Sequence, residues 1–275
     1  RRQNLCGTPS DWHLNEPMKS AFEVPFGWYP QMVYFATFAN RHMHDYGTTL
    51  EQLAEIPIAF RRHANGHSGA IMKDKMLSID SYLSQPVLAF PFRKEDCCLI
   101  SDGAGAFVMK PTASAYDSPN PPIIVEGVGR GKIAGAPYIS QQRDITSTPQ
   151  AFSAPWALAM AERNIKEIDL IAVYDCFSMT ALMQIEDMGF CGKGEGGSFI
   201  ANQRLHFDNP RKRGGIPCNT HGGLLSHAYV LGIAHIIELI RQLRDHADNQ
   251  VEDAKVAAYA GFTADEASTL ILRRD

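Results

Sequence analysis

Residues 219–243 read NTHGGLLSHAYVLGIAHIIELIRQL, and this stretch decides the expected fold. It opens with a polar turn and two glycines, Gly222 and Gly223, and is then apolar at almost every position as far as Glu238. A helix that is apolar all round is expected to be buried on all sides. The free N–H groups of its first turn suit a developing oxyanion or a thioester carbonyl. The pattern therefore predicts a central buried helix whose start, with Tyr229 one turn further in, forms part of a site.

The composition is that of a large globular protein. The chain has 275 residues, of which 45% are hydrophobic and 20% charged, and its net charge is −4. This charge argues against general nucleic-acid binding. The six cysteines contain no CxxC pair, which is typical of reduced thiols. No apolar run reaches about 18 residues, so the sequence predicts a cytoplasmic protein without a membrane span.

Local patterns predict alternating helices and strands. Apolar periodicity indicates helices at 31–46, 49–64 and 78–83, and the continuous apolar run 168–173 is typical of a parallel strand. A buried strand is predicted at 104–109, and the proline-rich run 111–122 is the best internal boundary. Beyond that boundary, the order strand, helix, strand, helix, helix, strand, strand indicates an α/β fold with a mixed sheet.

Several histidines and glycines resemble binding motifs only weakly. The histidines at 42, 44, 63 and 67 fit no standard zinc spacing, so they are predicted to be exposed on helices and no metal is expected. The glycine-rich runs 192–197 and 127–131 lack the lysine-hydroxyl ending of a phosphate loop and the spacing of a dinucleotide loop. Neither run identifies a site by itself.

Two polar segments are predicted to meet at one end of the sheet. Ligands of α/β sheets lie beyond the carboxyl ends of the strands. Tyr174 and Asp175 directly follow the strand predicted at 168–173. Asn219, His221 and Tyr229 lie at the start of the predicted central helix. These residues are the candidate site.

Three separated segments of this sequence resemble one known superfamily. They read SDGAGAFVM, VYDCFSMTALMQIEDMGFCGKGEGG and NTHGGLLSHAYVLG. Together they resemble the thiolase superfamily, and most closely its non-decarboxylating, lipid-transfer-type branch, over about residues 101–275. The resemblance implies a thiolase-like layered αβαβα fold with mixed sheets around buried helices. Residues 1–112 would be the remnant of the N-terminal half with its loop insertion, and 122–275 the C-terminal half.

The departures from that superfamily point to a different reaction. Claisen-type thiolases carry asparagine or histidine where this chain has Tyr174, and a Gly-His-Pro histidine where it has Tyr229. They also carry a cysteine where the matching stretch 259–263 has none. The two tyrosines resemble the thiolase-like aldolases of steroid side-chain degradation, which cleave a β-hydroxyacyl-CoA by a retro-aldol reaction without a nucleophilic cysteine. The resemblance implies no cofactor beyond the CoA of the acyl-CoA substrate, a homodimer, and a partner protein with an OB fold and a zinc ribbon.

A retro-aldol cleavage needs a base for the β-hydroxyl proton and stabilisation of the thioester enolate. A phenol can act in either role. Lowering a tyrosine pKa from near 10 to about 7 requires roughly 4 kcal/mol, for which the helix start and a protonated His221 are the expected sources. One tyrosine is expected to be the base and the other to polarise the thioester oxygen, but the sequence leaves open which. The residues expected to bind substrate are Asp175, Asn219, Gly222 and Gly223, although Asp175 alternatively caps the helix that follows it.

Two other functions fit the same sequence. The first is an acyl-CoA thiolase or acyltransferase whose nucleophilic cysteine lies in a missing N-terminal segment. The second is a non-catalytic acyl-CoA-binding subunit. The tyrosine positions favour the lyase over both.

Overall fold

A four-stranded mixed sheet organises the second half of the chain. The computed structural model describes residues 14–133, 138–263 and 265–275. Its strands are β1 (Ile123–Lys132), β2 (Leu170–Val173), β3 (Val256–Thr263) and β4 (Glu266–Arg274). They lie in the order β1–β4–β3–β2, in which β2 and β3 are parallel and the other neighbours antiparallel. The predicted α/β class with a mixed sheet is confirmed.

In the described part of the chain, five helices precede the sheet in the sequence, and five lie between its first and third strands. They are α1 (Pro17–Phe22), α2 (Gln31–Tyr46), α3 (Leu50–Gly66), α4 (Ile79–Leu83), α5 (Thr112–Ala115), α6 (Gln150–Met160), α7 (Ser178–Asp187), α8 (Gly196–Ile200), α9 (Gly223–Ser226) and α10 (Gly232–Leu243). Short 3₁₀ turns lie at Val24–Phe26, Lys94–Asp96, Ile139–Gln141, Ile165–Glu167 and Arg211–Arg213. Within the described ranges, no helix is long and apolar enough to cross a membrane.

Alternate residues of the strands face two separate cores. Ile171 and Val173 of β2 belong to the larger core, which includes residues of α2, α3, α6 and α7. Leu170 and Ala172 belong to the smaller core, with Leu239 of α10. Since successive side chains of a strand point to opposite faces, the sheet lies between α6 and α7 on one side and α10 on the other.

The glycines of the run 127–131 have a packing role. Gly127, Gly129 and Gly131 alternate along β1 and are buried against α6. A Cβ atom at any of the three would overlap a backbone carbonyl oxygen of α6 or of the residue before it. The run is therefore the surface on which α6 lies close to the sheet, which explains its glycines without a phosphate.

The prediction of one continuous buried helix over 219–243 is wrong. The segment contains the short helix α9 and the longer α10, separated by residues 227–231. Gly222 and Gly223 have φ of 109° and 63°, and Leu231 has φ of 57°, so the backbone leaves helical geometry on both sides of α9. Tyr229 therefore lies between two helices and not within one. α10 is also amphipathic, with Ile233 and Ile237 only half-buried.

The strand predicted at 104–109 is also wrong. These residues belong to no strand of the sheet, and Val108 is 83% exposed. An apolar run becomes a buried strand only when neighbouring strands accept its backbone hydrogen bonds. Among the described residues, no strand lies beside this run.

The histidines predicted to be exposed are mostly buried. His44 is exposed, but His42, His63 and His67 are buried. The His42 ring lies within hydrogen-bonding distance of Thr48 Oγ1 and the Glu186 carboxylate. Polar partners on other elements, which local spacing does not reveal, make this burial possible.

Candidate active site

The end of β2 is held by a side chain from the segment that leads to α9. Asn219 is fully buried. Its Oδ1 accepts a hydrogen bond from Val173 N at 2.9 Å, and its Nδ2 donates to Val173 O at 2.9 Å. Both ends of the amide are thereby used within the protein. Asn219 connects the two predicted site segments, and its contact with substrate stays a prediction.

Asp175 fixes the start of α9 to the turn after β2. Its carboxylate accepts from Leu224 N at 2.9 Å, from Leu225 N at 3.2 Å, and lies 2.9 Å from His235 Nε2. The side chain is completely buried. Asp175 is therefore a helix cap, as one of the two interpretations of the sequence predicts. It caps α9, however, and not α7, the helix that directly follows it. The N–H groups expected to bind an oxyanion are already bonded to a protein carboxylate.

Gly222 and Gly223 serve close packing. A Cβ atom at Gly223 would overlap the Asp175 carboxylate, and one at Gly222 would lie 2.8 Å from Ala64 Cβ on α3. Both glycines are buried and have positive φ. They allow the segment at the start of α9 to pack closely against Asp175 and α3, and their contact with substrate stays a prediction.

The structure brings Tyr174 and Tyr229 into direct contact. Their hydroxyl oxygens are 2.8 Å apart, and their ring centroids are 6.5 Å apart at an interplanar angle of 64°. Tyr174 directly follows β2, and its N–H donates to Ala260 O of β3 at 2.9 Å. Tyr229 lies between α9 and α10, where its N–H donates to Ser101 Oγ at 3.1 Å. Tyr174 and Tyr229 are called the tyrosine pair below.

Burial makes both phenols weaker acids. It raises the pKa of Tyr174 well above 10, and the nearby thiol of Cys176 and the bond to Tyr229 raise that pKa further. Burial also raises the pKa of Tyr229, and the hydrogen bond with Tyr174 offsets part of this rise. Both hydroxyls are therefore protonated near neutral pH. The expected lowering of a tyrosine pKa to about 7 is not found.

His221 does not supply the positive charge that was expected. It is buried, and among the described residues neither ring nitrogen has a hydrogen-bond partner. Burial, followed by the neighbouring His235 and His227, lowers its pKa well below 6.5, so the ring is neutral. The ring packs against His227 and His235 at centroid distances of 5.1 and 5.0 Å. It lines a cavity of about 150 Å³ to which neither tyrosine contributes.

The thiols beside the tyrosine pair are protonated. Burial, followed by the charge of Asp175, raises the pKa of Cys98 to about 12. Burial and the neighbouring Cys98 raise the pKa of Cys176 well above 9. A nucleophilic cysteine needs a lowered pKa, so neither thiol has the electrostatic setting of a catalytic one. Within the residues described, no group of three or more His, Cys, Asp or Glu side chains is arranged to hold a metal ion.

Two residues that support the tyrosine pair are not among the predicted site residues. Gln184 of α7 donates its amide to Tyr174 O at 2.7 Å, and His235 contacts Asp175. One signal was available for Gln184. It is a polar residue in the apolar run TALMQI, and a polar group on a fully buried helix needs a partner.

Comparisons with known proteins identify the family of this chain. The family model described as "Thiolase C-terminal domain-like" matches residues 131–274. A steroid side-chain-cleaving aldolase of Thermomonospora curvata is 32% identical over 93% of this chain and 65% of its own length. An acetyl-CoA acetyltransferase of Methanothermobacter thermautotrophicus is 34% identical over 81% of this chain and 57% of its own length. This chain thus spans less than two thirds of either relative.

One solved structure is similar over nearly the whole chain. It is titled "Ltp2-ChsH2(DUF35) aldolase" and superimposes with a TM-score of 0.85 at 30% sequence identity. The match covers 94% of this chain and 67% of that chain.

Proposed function

The chain belongs to the thiolase superfamily and has its fold, and from this premise we propose that it carries the catalytic groups of a carbon–carbon lyase. The lyase cleaves a β-hydroxyacyl-CoA thioester with a steroid-like acyl group by a retro-aldol reaction. The 2.8 Å hydrogen bond between the Tyr174 and Tyr229 hydroxyls carries this proposal. The aldolases among the similar proteins support both the reaction and the substrate class.

The tyrosine pair acts as a relay of neutral phenols. The Tyr174 oxygen takes the β-hydroxyl proton while Tyr174 passes its own proton to the Tyr229 oxygen. Tyr229 gives its proton to the thioester oxygen. The Cα–Cβ bond breaks in the same step, its electron pair forms the enol, and the β-carbon becomes a ketone or aldehyde. No tyrosinate forms, which agrees with the raised pKa of both phenols.

The other predicted site residues have supporting roles in this proposal. Asp175, Asn219, Gly222 and Gly223 shape the site around the two tyrosines. CoA enters only as part of the substrate.

The domain organisation follows the thiolase fold. Residues 1–112 are proposed to be the remnant of the first thiolase half, and residues 122–275 the second half. A homodimer and a partner with an OB fold and a zinc ribbon complete the proposal. The name of the similar structure, which includes ChsH2(DUF35), supports the presence of a partner protein.

Acyl transfer is the second candidate function, because one similar protein is an acetyl-CoA acetyltransferase. It requires a nucleophilic cysteine that forms an acyl-enzyme. The raised pKa values of Cys98 and Cys176, caused by burial, argue against either thiol in that role.

One product assay separates the two functions. The full-length protein, together with any protein that co-purifies with it, is incubated with β-hydroxyacyl-CoA thioesters, and the products are identified by mass spectrometry. We expect equal amounts of a ketone or aldehyde and a shortened acyl-CoA, without added CoA. Product formation only from β-ketoacyl-CoA and free CoA would instead establish thiolysis and contradict the lyase.

A further inference from the structure

Gln184 makes paired contacts with the backbone of Tyr174. It lies on α7 and is completely buried. Its Nε2 donates to Tyr174 O at 2.7 Å, and its Oε1 lies 3.3 Å from Tyr174 N, a weaker contact. A second bond from Nε2 to Thr180 O, at 2.7 Å, orients the amide on its own helix. The side-chain amide of Gln184 thus contacts both backbone polar groups of Tyr174, as the backbone of a neighbouring strand would.

Tyr174 needs such a partner because the sheet ends there. β2 ends at Val173, and Tyr174 retains only one ladder bond, from its N–H to Ala260 O. Its carbonyl oxygen accepts instead from Gln184 Nε2 of α7. The Thr180 hydroxyl of α7 also lies 3.2 Å from this oxygen, but its single proton has the shorter contact, of 2.7 Å, with Phe177 O. The direction of the Tyr174 peptide, and with it the direction of the phenol, therefore depends on α7.

The preceding residue is held in the same way by a different element. The Asn219 amide bonds both backbone groups of Val173. Two side-chain amides thus hold consecutive residues, one from the segment before α9 and one from α7. Asn219 fixes the end of the strand, whereas Gln184 acts on the residue that bears the phenol.

We propose that Gln184 is a positioning residue, which fixes the Tyr174 hydroxyl at hydrogen-bonding distance from Tyr229. The inference rests on the proposed function, since the alignment serves the proton relay. Gln184 is completely buried, so we assign it no contact with the substrate. Its effect on the rate comes through geometry, because a misplacement of about 1 Å in a catalytic group can cost about 100-fold.

The first test is the substitution Gln184→Leu, which fills a similar volume with an apolar side chain but removes both amide contacts. We expect kcat for acyl-CoA cleavage to fall about 100-fold, while KM changes less than about 3-fold. Gln150→Leu is the matched control. Gln150 is equally buried, on α6, and its amide donates to Ser268 O, without a contact to the tyrosine pair. This control is expected to keep kcat within about 3-fold of the unmodified protein.

The second test uses Gln184→Glu and gives a readout that a merely structural role would not move. A buried glutamic acid has a raised pKa, and only its protonated form can donate to Tyr174 O. Activity of this variant is therefore expected to rise about 10-fold from pH 9 to pH 6 as the donor is restored, whereas the unmodified protein has a flat profile.

A measurement without substrate distinguishes a wrong role for Gln184 from a wrong proposed function. The Tyr174 and Tyr229 ring signals, observed by NMR with ¹³Cζ-labelled tyrosine, report the hydroxyl contact without substrate. We expect Gln184→Leu to shift both signals and Gln150→Leu to shift neither. Unchanged signals together with unchanged kcat in Gln184→Leu would overturn the positioning role. Shifted signals in a protein that cleaves no substrate would retain that role and reject the lyase.

Discussion

Tyr174→Phe and Tyr229→Phe are each expected to lower kcat for β-hydroxyacyl-CoA cleavage by about 10²- to 10⁴-fold, the usual contribution of a positioned acid–base group. Each substitution removes one hydroxyl from the 2.8 Å contact and leaves the relay without a continuous path. The ring is retained, so packing and substrate affinity change little. Single-turnover rates, measured by quenching and product analysis, give the effect on the chemical step.

The double variant, which combines Tyr174→Phe with Tyr229→Phe, sharpens this test. Groups that act as one unit are strongly non-additive, so the double variant should be no slower than the slower single variant, within about 3-fold. Tyr34→Phe is the matched control, because Tyr34 is buried and its hydroxyl bonds Glu23 outside the tyrosine pair. Losses that multiply in the double variant would show two independent roles and contradict a shared proton.

Asp175→Ala is expected to lower the free energy of unfolding by about 3–5 kcal/mol, because leaving a buried hydrogen-bonding group unsatisfied costs about 1–3 kcal/mol and three groups lose their partner. The substitution leaves Leu224 N, Leu225 N and the His235 ring without their acceptor in the interior. It also releases α9 from the turn that carries Tyr174. Urea denaturation followed by circular dichroism measures the loss, provided that the slope with urea is unchanged.

A surface carboxylate provides the comparison for Asp175. Asp208 bonds Arg62 in an exposed ion pair, so Asp208→Ala should change stability by no more than about 0.5 kcal/mol. If Asp175→Ala is as mild as this control, Asp175 does not anchor α9, and the site geometry depends on other contacts.

Local signals in the sequence were sufficient for much of the secondary structure. The periodic run 31–46 is α2, and Gly47 ends it in the left-handed conformation with φ of 74°. Thr49 and Gln52 form the capping box that begins α3. Each of these features depends on residues within one or two turns of each other, so the sequence contains the whole interaction.

Features that depend on distant partners were not predictable in this way. The start of α9 depends on the Asp175 carboxylate, far away in the sequence, which bonds the first N–H groups of that helix. The raised pKa values of the tyrosine pair follow from burial and from neighbours on other elements. His42 is buried because Glu186, on another helix, accepts its hydrogen bond.

The meeting of Tyr174 and Tyr229 required more than local signals. The rule that ligands lie beyond the carboxyl ends of strands placed the two segments together, and the resemblance to thiolases selected these two residues. Neither source could give the distance between the hydroxyls. That distance depends on Asn219, Asp175 and Gln184, whose partners are backbone groups elsewhere in the chain.

The central claim is that two neutral phenols share the movement of one proton equivalent, and the pH dependence of the cleavage step tests it most directly. A tyrosine whose pKa is raised above 10 stays protonated at every pH below that value, so neither member of the tyrosine pair changes charge between pH 6 and 9. We predict a single-turnover rate for β-hydroxyacyl-CoA cleavage that is constant within about 3-fold over this range. A rate that rises about tenfold with each pH unit would show that the reaction requires a tyrosinate, and it would contradict the relay.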